Sequence, residues 1–144
     1  MKLRSLVGLC VAVSAPFALA APSSPFDGKT NLTCTVQQLF ECDSFVGCRA
    51  VAADVAYPIR HLDVDVGKKA VTIEHIQTSL TSAITSSAVM QDKLVLQGTD
   101  AGLKGEPGGG GWSMSINQTY GTMILTTTAN DVAFVGMGAC IGKR

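Results

Sequence analysis

From Thr30 onward the hydrophobic positions recur at every second residue. Leu32, Cys34 and Val36 alternate with Thr33, Thr35 and Gln37, and Leu62, Val64 and Val66 alternate with Asp63 and Asp65. Gly67-Lys68-Lys69 reads as a turn, after which Val71 and Ile73 resume the pattern. Leu80, Ile84 and Ala88 share a parity with Ser82 and Ser86, and Leu94 and Leu96 follow a turn at Gln91-Asp92. Trp112, Met114 and Ile116 alternate with Ser113, Ser115 and Asn117, and Met123 and Leu125 follow Gly121. Asn130-Asp131 marks another turn before a last strand over Val132–Ile141. Period two puts one row of side chains on a core and the other on the opposite face. The runs are rich in Val, Ile and Thr and are bounded by turn residues, which is a strand signature. The pattern predicts an all-β domain, a small antiparallel meander of about eight strands. Closure hides the edges of such a sheet, so the expected architecture is a barrel or a curved sandwich. One stretch is ambiguous. Over 39–57 the Ala/Val-rich run Ala50–Ala56 admits a short helical piece, ended by Tyr57-Pro58.

One connection stands apart. Gly98–Gly111 holds Gly102, Gly105, Pro107 and the run Gly108–Gly111. Glycine-rich backbone can cradle a phosphate, but that motif needs a Lys-Ser/Thr pair and a following helix. Here Trp112 opens a strand instead. The stretch reads as a flexible hairpin loop, and loops on a rigid scaffold are where contacts concentrate. Leu103, Lys104 and Glu106, with Trp112 at the loop's end, are therefore the candidate contact residues. The alternation of Trp112 with Met114 and Ile116 assigns its ring to the core, with ligand stacking as the alternative.

The first 20 residues have a different order. Lys2 and Arg4 precede an apolar run from Leu6 to Ala15, Pro16 ends it, and Ala18-Leu19-Ala20 supplies small residues for cleavage. This is the layout of a secretory signal peptide, residues 1–20. Its apolar run is shorter than the roughly 20 residues that span a bilayer. Residues 21–29 are rich in Pro, Ser and Gly and read as a flexible N-terminus, leaving 30–144 as a single β domain. Cleavage removes two of the 11 basic residues and none of the 11 acidic ones, so the mature net charge becomes −2. Such a surface sets up no field for nucleic acid or anionic membrane. The mature chain contains no further membrane span by sequence.

Four cysteines remain after cleavage: Cys34, Cys42, Cys48 and Cys140. An even count in an exported chain reads as two disulfides and places the protein outside the cytoplasm, secreted or periplasmic. Three pairings are possible. Cys34 shares the apolar parity of Leu32 and Val36, and Cys140 that of Phe134. Neighbouring first and last strands at barrel closure would therefore join Cys34 to Cys140 and leave Cys42 to pair with Cys48. The alternative, a zinc site, lacks a CxxC pair and suitably spaced histidines.

Candidate chemistry is sparse. His61 and His75 are the only histidines, and neither has a cysteine, serine or carboxylate arrangement around it that completes a catalytic set. Asp63 and Asp65 share one strand face, with Glu74 across the turn. Paired carboxylates serve glycoside hydrolysis or calcium binding, but alternate polar positions on a two-faced strand explain them as well. No serine lies in a Gly-x-Ser-x-Gly elbow. Asn31-Leu32-Thr33 and Asn117-Gln118-Thr119 match the glycosylation triplet. No catalytic residue, cofactor or metal site is expected.

Several stretches carry a resemblance. They are Leu62-Asp63-Val64-Asp65 with Lys69-Ala70-Val71-Thr72, the run from Trp112 to Met123, the Cys34…Cys42…Cys48 cluster and the closing Gly138-Ala139-Cys140. Together they resemble small uncharacterised periplasmic or secreted β proteins of proteobacteria, which carry an Ile-Asn-x-x-x-Gly strand motif and end in Gly-x-Cys. Gln118 stands where that group usually has Arg. The resemblance implies export and a compact β fold, and no activity. The size, compartment and disulfides also resemble the small β-barrel inhibitors of C-type lysozyme, although their Ser-Gly-x-x-Tyr-type loop is missing. The functional expectation is a non-enzymatic exported module that binds an unknown protein or small ligand. The alternatives are a periplasmic inhibitor of a hydrolase such as lysozyme, and a small enzyme using Asp63, Asp65 or a histidine.

Overall fold

The computed structural model describes residues 24–53, 59–74, 79–100, 110–129 and 131–143. The strands run in chain order as β1 (Leu32–Asp43), β2 (Gly47–Val51), β3 (His61–Asp65), β4 (Ala70–Glu74), β5 (Ser79–Met90), β6 (Lys93–Asp100), β7 (Gly110–Asn117), β8 (Thr122–Ala129) and β9 (Val132–Gly142). All pairings are antiparallel, in the order β2-β1-β3-β4-β5-β6-β7-β8-β9, and β1 also pairs with β9. Eight strands, β1 and β3 to β9, therefore close into a barrel, and β2 is an additional ninth strand. Closure gives β1 and β9 a continuous ladder from Leu32↔Gly142 to Asp43↔Val132. The other edge of β1 is shared: β3 pairs with Leu32–Thr35 and β2 with Leu39–Asp43.

The alternating rows meet inside. Leu32, Cys34, Val36, Leu62, Val64, Leu94, Leu96, Met114, Ile116, Met123 and Leu125 are all buried, as are Phe134 and Cys140 on the last strand. The inward row of β1 changes parity after Val36. A bulge between Val36 and Gln38 leaves Gln37 and Gln38 exposed and turns Leu39 inward. The backbones of β1 and β9 approach closely at this bulge, where a Cβ on Gly138 would fall on the Thr35 carbonyl oxygen.

The disulfides pair Cys34 with Cys140 and Cys42 with Cys48, each directly across an antiparallel ladder. The first lies in the core at the closing seam. Both are consistent with an oxidising environment.

Two expectations are corrected. Residues 39–53 contain no helix, because β1 continues to Asp43, turns, and returns as β2. Ladder partners fix 39–43 and 47–51 as strand. Residues 54–58 lie outside the described set. The segment read as a loose N-terminus is, over 24–29, folded onto the barrel. Phe26 is buried, Ser24 Oγ donates to the Gln118 carbonyl at 2.7 Å, and Gln118 Nε2 donates to the Phe26 carbonyl at 2.8 Å. Asn31 ties in the next turn, accepting from the Val66 amide through Oδ1 at 2.9 Å. This segment covers the end of the barrel where β1 begins, called here the lower end. At the upper end lie the β1–β2 turn, Asp131 before β9, and the strand ends that flank 75–78 and 101–109. Among the described residues no helix is long and apolar enough to cross a membrane.

Candidate functional site

The upper end carries one feature that the packing of the core does not explain. β1 stays paired with β9 as far as Asp43, and β2 pairs with its other edge from Leu39 to Asp43, so that only the turn between them lies past the ladders. Residues Gly47–Ala50 of β2 are exposed. Asp43 faces Gly47, and Ser44-Phe45-Val46 form the loop between them. Asp43 Oδ1 accepts from the Phe45 amide at 2.8 Å and the Val46 amide at 2.7 Å. Aspartate does this because its short side chain mimics a backbone turn. Gly47 then takes φ +82°, the left-handed conformation that closes a three-residue hairpin loop and that glycine adopts without a Cβ penalty. The two amide hydrogen bonds, led by Val46, hold the Asp43 carboxyl below its ordinary pKa.

The mouth of this loop is clamped twice. Cys42 and Cys48 are bonded one residue below the turn. On the next pair down, Arg49 Nη2 meets Glu41 Oε1 at 3.1 Å. What the clamp presents is apolar: Phe45 is 94% exposed and Val46 73%. Leaving a phenylalanine in water forgoes about 2 kcal/mol of burial. The cross-link, the capped turn and the ion pair together restrict the conformations open to this dipeptide. A shallow depression at the foot of the hairpin is lined by Asp43, Ser44, Thr128 and Asp131.

The residues singled out from sequence fall elsewhere. Leu103, Lys104 and Glu106 lie outside the described residues, as does His75. Trp112 is buried on the core side of β7, packed over Gly98. Its Nε1 has no hydrogen-bond partner among the described residues. This placement makes it core rather than contact surface.

Asp63 and Asp65 do share the outer face of β3, but each is engaged. Asp63 takes Lys143 Nζ at 2.8 Å and Thr33 Oγ1 at 3.0 Å. Asp65 takes Lys68 Nζ at 3.2 Å and the Lys68 amide at 2.9 Å. Lys143 above all lowers the Asp63 pKa, and the Lys68 amide and side chain lower that of Asp65. A glycosidase pair needs one carboxyl raised to act as acid, and here both shift the other way. His61 Nδ1 lies 3.4 Å from Thr35 Oγ1, on the exposed side of β3. Among the described residues no group of three or more His, Cys, Asp or Glu is arranged to hold a metal.

Both asparagines of the glycosylation triplets build turns. Asn31 accepts from Val66, and Asn117 Oδ1 accepts from the amides of Thr119 and Tyr120, each at 2.9 Å. Sequence reasoning passed over Ser44-Phe45-Val46. The signal was present: an Asx-turn aspartate and a glycine enclosing an apolar pair, with cysteines immediately outside. Compared with models of known protein families and with curated protein sequences, the chain matches none.

Proposed function

We propose that this is an exported, non-enzymatic binding module whose contact element is the hairpin tip Ser44-Phe45-Val46. The observation that carries the reading is the near-complete exposure of Phe45 on a turn fixed by Asp43, Gly47 and the Cys42–Cys48 bond. The rest of the molecule supplies rigidity. The barrel interior is filled by side chains, and the lower end is covered by Phe26. An aromatic anchor on a preorganised loop is the kind of residue that dominates binding energy. A narrow clamped loop suits a concave protein partner, which favours an inhibitor-like mode of contact over capture of a small ligand inside the barrel.

Export rests on the segment 1–20, on the two disulfides, and on the likeness to small periplasmic β proteins. Cleavage after Ala20 leaves a chain beginning at Ala21, and intact mass of the exported protein checks it. A mature product that retains Met1 refutes the assignment.

The functional test uses immobilised oxidised protein against extracellular or periplasmic extract, with Phe45→Ala as the paired bait. A partner held by the native tip and lost with Phe45→Ala supports the reading. A partner retained equally by both moves the contact away from the hairpin. Hydrolytic turnover abolished by Asp63→Asn or His61→Ala would overturn the non-enzymatic assignment.

A further inference from the structure

The two disulfides lie on opposite sides of the barrel wall. Cys34 and Cys140 belong to the inward rows and are buried. Cys42 faces Ala133 across the β1–β9 ladder, one position from buried Phe134, so alternation turns Cys42 and Ala133 to the outer face. Thr128 on β8 continues that outward row. Cys48 stands opposite Cys42 on β2, a strand that pairs with β1 alone among the described residues, and it is exposed. The Cys42–Cys48 bond is therefore open to solvent from the outer face. Cys42 also borders the shallow depression lined by Asp43, Ser44, Thr128, Asp131 and Ala133.

Thiol–disulfide exchange is attack by a thiolate on one sulfur, and its rate depends on access to that sulfur. The core bond offers none while the barrel is closed. A thiolate reaches it only after β1 and β9 part, along a ladder that runs from Leu32 to Asp43. The tip bond needs no such opening. Its two sulfurs are not equivalent. Asp43 and Asp131 border the depression beside Cys42, and their carboxylates repel a thiolate that approaches there. Cys48 is the more exposed of the pair and takes the attack.

We propose that Cys48 Sγ is a thiol–disulfide exchange site, at which an external dithiol opens the Cys42–Cys48 bond while Cys34–Cys140 stays closed. One thiolate of the dithiol bonds to Cys48 Sγ, the Cys42–Cys48 bond breaks, and Cys42 leaves as a thiolate that takes a proton from water. The second thiol of the reductant loses its proton and bonds to the first, and Cys48 departs as a thiolate and is protonated in turn. Two electrons pass to the protein, and the dithiol ends as a disulfide. The change is reversible because the cysteines stay opposed. Leu39, Phe40 and Glu41 remain laddered to Val51, Ala50 and Arg49, Arg49 remains on Glu41, and Asp43 still caps the turn. What is lost is the covalent tie beneath Phe45 and Val46, so the tip loosens while the barrel stays folded. This gives the hairpin tip a regulator, and it rests on the hairpin reading only for its effect on partner binding.

Dithiothreitol is the probe. The exported, oxidised protein is held in millimolar dithiothreitol at neutral pH, sampled over time, blocked with iodoacetamide and mapped by peptide mass. Labels should appear on Cys42 and Cys48 about a hundredfold or more faster than on Cys34 and Cys140. The fluorescence of buried Trp112 should not change over that interval. Excess glutathione in place of dithiothreitol, quenched in acid, should leave its mixed disulfide on Cys48. The amides of Phe45 and Val46, which donate to Asp43, should exchange hydrogen several-fold faster in the reduced form and recover on re-oxidation. Equal labelling of the two bonds overturns the proposal, as does labelling of Cys42 and Cys48 only once Trp112 signals unfolding. So does glutathione held on Cys42, or tip amides indifferent to reduction. None of these readouts uses a partner, so a partner that ignores Phe45→Ala would refute the contact without touching the exchange.

Discussion

Removing the two disulfides separately should have unequal and separable consequences. Cys34–Cys140 spans 106 residues of sequence and Cys42–Cys48 spans 6. On the chain-entropy model the longer cross-link restricts the unfolded chain by about 4.8 kcal/mol at 25 °C and the shorter by about 2.2 kcal/mol. Burial widens the difference. Cys34 is fully buried and Cys140 nearly so, and alanine at both leaves a void among Leu32, Val36 and their neighbours. Cys48 is exposed on a hairpin that adds little to the core, so its loss opens no void there. We expect Cys34→Ala/Cys140→Ala to lower the unfolding free energy by about 5 kcal/mol, most of the stability of an ordinary domain. Cys42→Ala/Cys48→Ala should cost about 2 kcal/mol. Urea titration followed by fluorescence reads both, because Trp112 is the single tryptophan and is buried. The second pair should also weaken any contact made through Phe45 while the barrel remains folded. Equal losses for the two pairs, or a larger loss for Cys42/Cys48, would refute the division into a seam that holds the fold and a clamp that holds the tip.

Other perturbations follow from the same geometry. Gly138→Ala should cost about 3 kcal/mol or more by chemical denaturation, since its methyl falls on the Thr35 backbone. Gly136→Ala, whose methyl meets Val36 Cγ1 at 3.4 Å, Val36 Cγ2 at 3.6 Å and Leu125 Cβ at 3.7 Å, should stay within about 1 kcal/mol. Phe45→Ala should leave the melting temperature within about 2 °C of native, because a side chain in solvent stabilises nothing. Asp27, Asp43, Asp63 and Asp65 all have lowered pKa values. Their stabilisation is complete above the unfolded carboxyl pKa, near 3.8, and is lost as pH falls through the lower folded values. Acid unfolding monitored by circular dichroism should therefore steepen below pH 4, and Asp63→Asn should flatten that slope. A slope unchanged in Asp63→Asn would show that the Lys143 pair contributes nothing.

The barrel was legible because the inward rows are written plainly. Leu32-x-Cys34-x-Val36, Leu62-x-Val64 and Trp112-x-Met114-x-Ile116 each bury the residues their period selects. Parity also brought Cys34 to Cys140, since both belong to inward rows of strands that meet at closure. What strict alternation misses is a bulge. One sits between Val36 and Gln38, so that Leu39 rather than Gln38 faces inward. Another sits between Ile84 and Ser86, and beyond it Ala88 faces outward although it shares the parity of buried Ile84. The same limit produced the helical reading near Ala50. Local composition there is neutral, and only the ladder to Phe40, which requires β1 to have turned at Ser44-Phe45-Val46, makes the segment a strand.

The candidate site was harder to read because nothing local separates its apolar residues from those of the core. Phe45 and Val46 carry the same hydrophobicity as Phe134 and Val135, and in sequence either pair could belong to a core. The difference arises from topology. β9 closes the barrel and buries Phe134 opposite Glu41, whereas Phe45 falls in the turn after Asp43, where the ladders of β1 to β9 and to β2 both end. The chain then fixes this segment with a disulfide and a carboxylate cap. At the lower end it uses similar polar devices, Asp27 and Gln118, to press Phe26 inward. One aromatic is driven into the barrel and the other is held out of it by comparable local chemistry. That contrast is the reason Phe26 belongs to the fold and Phe45 to the proposed contact.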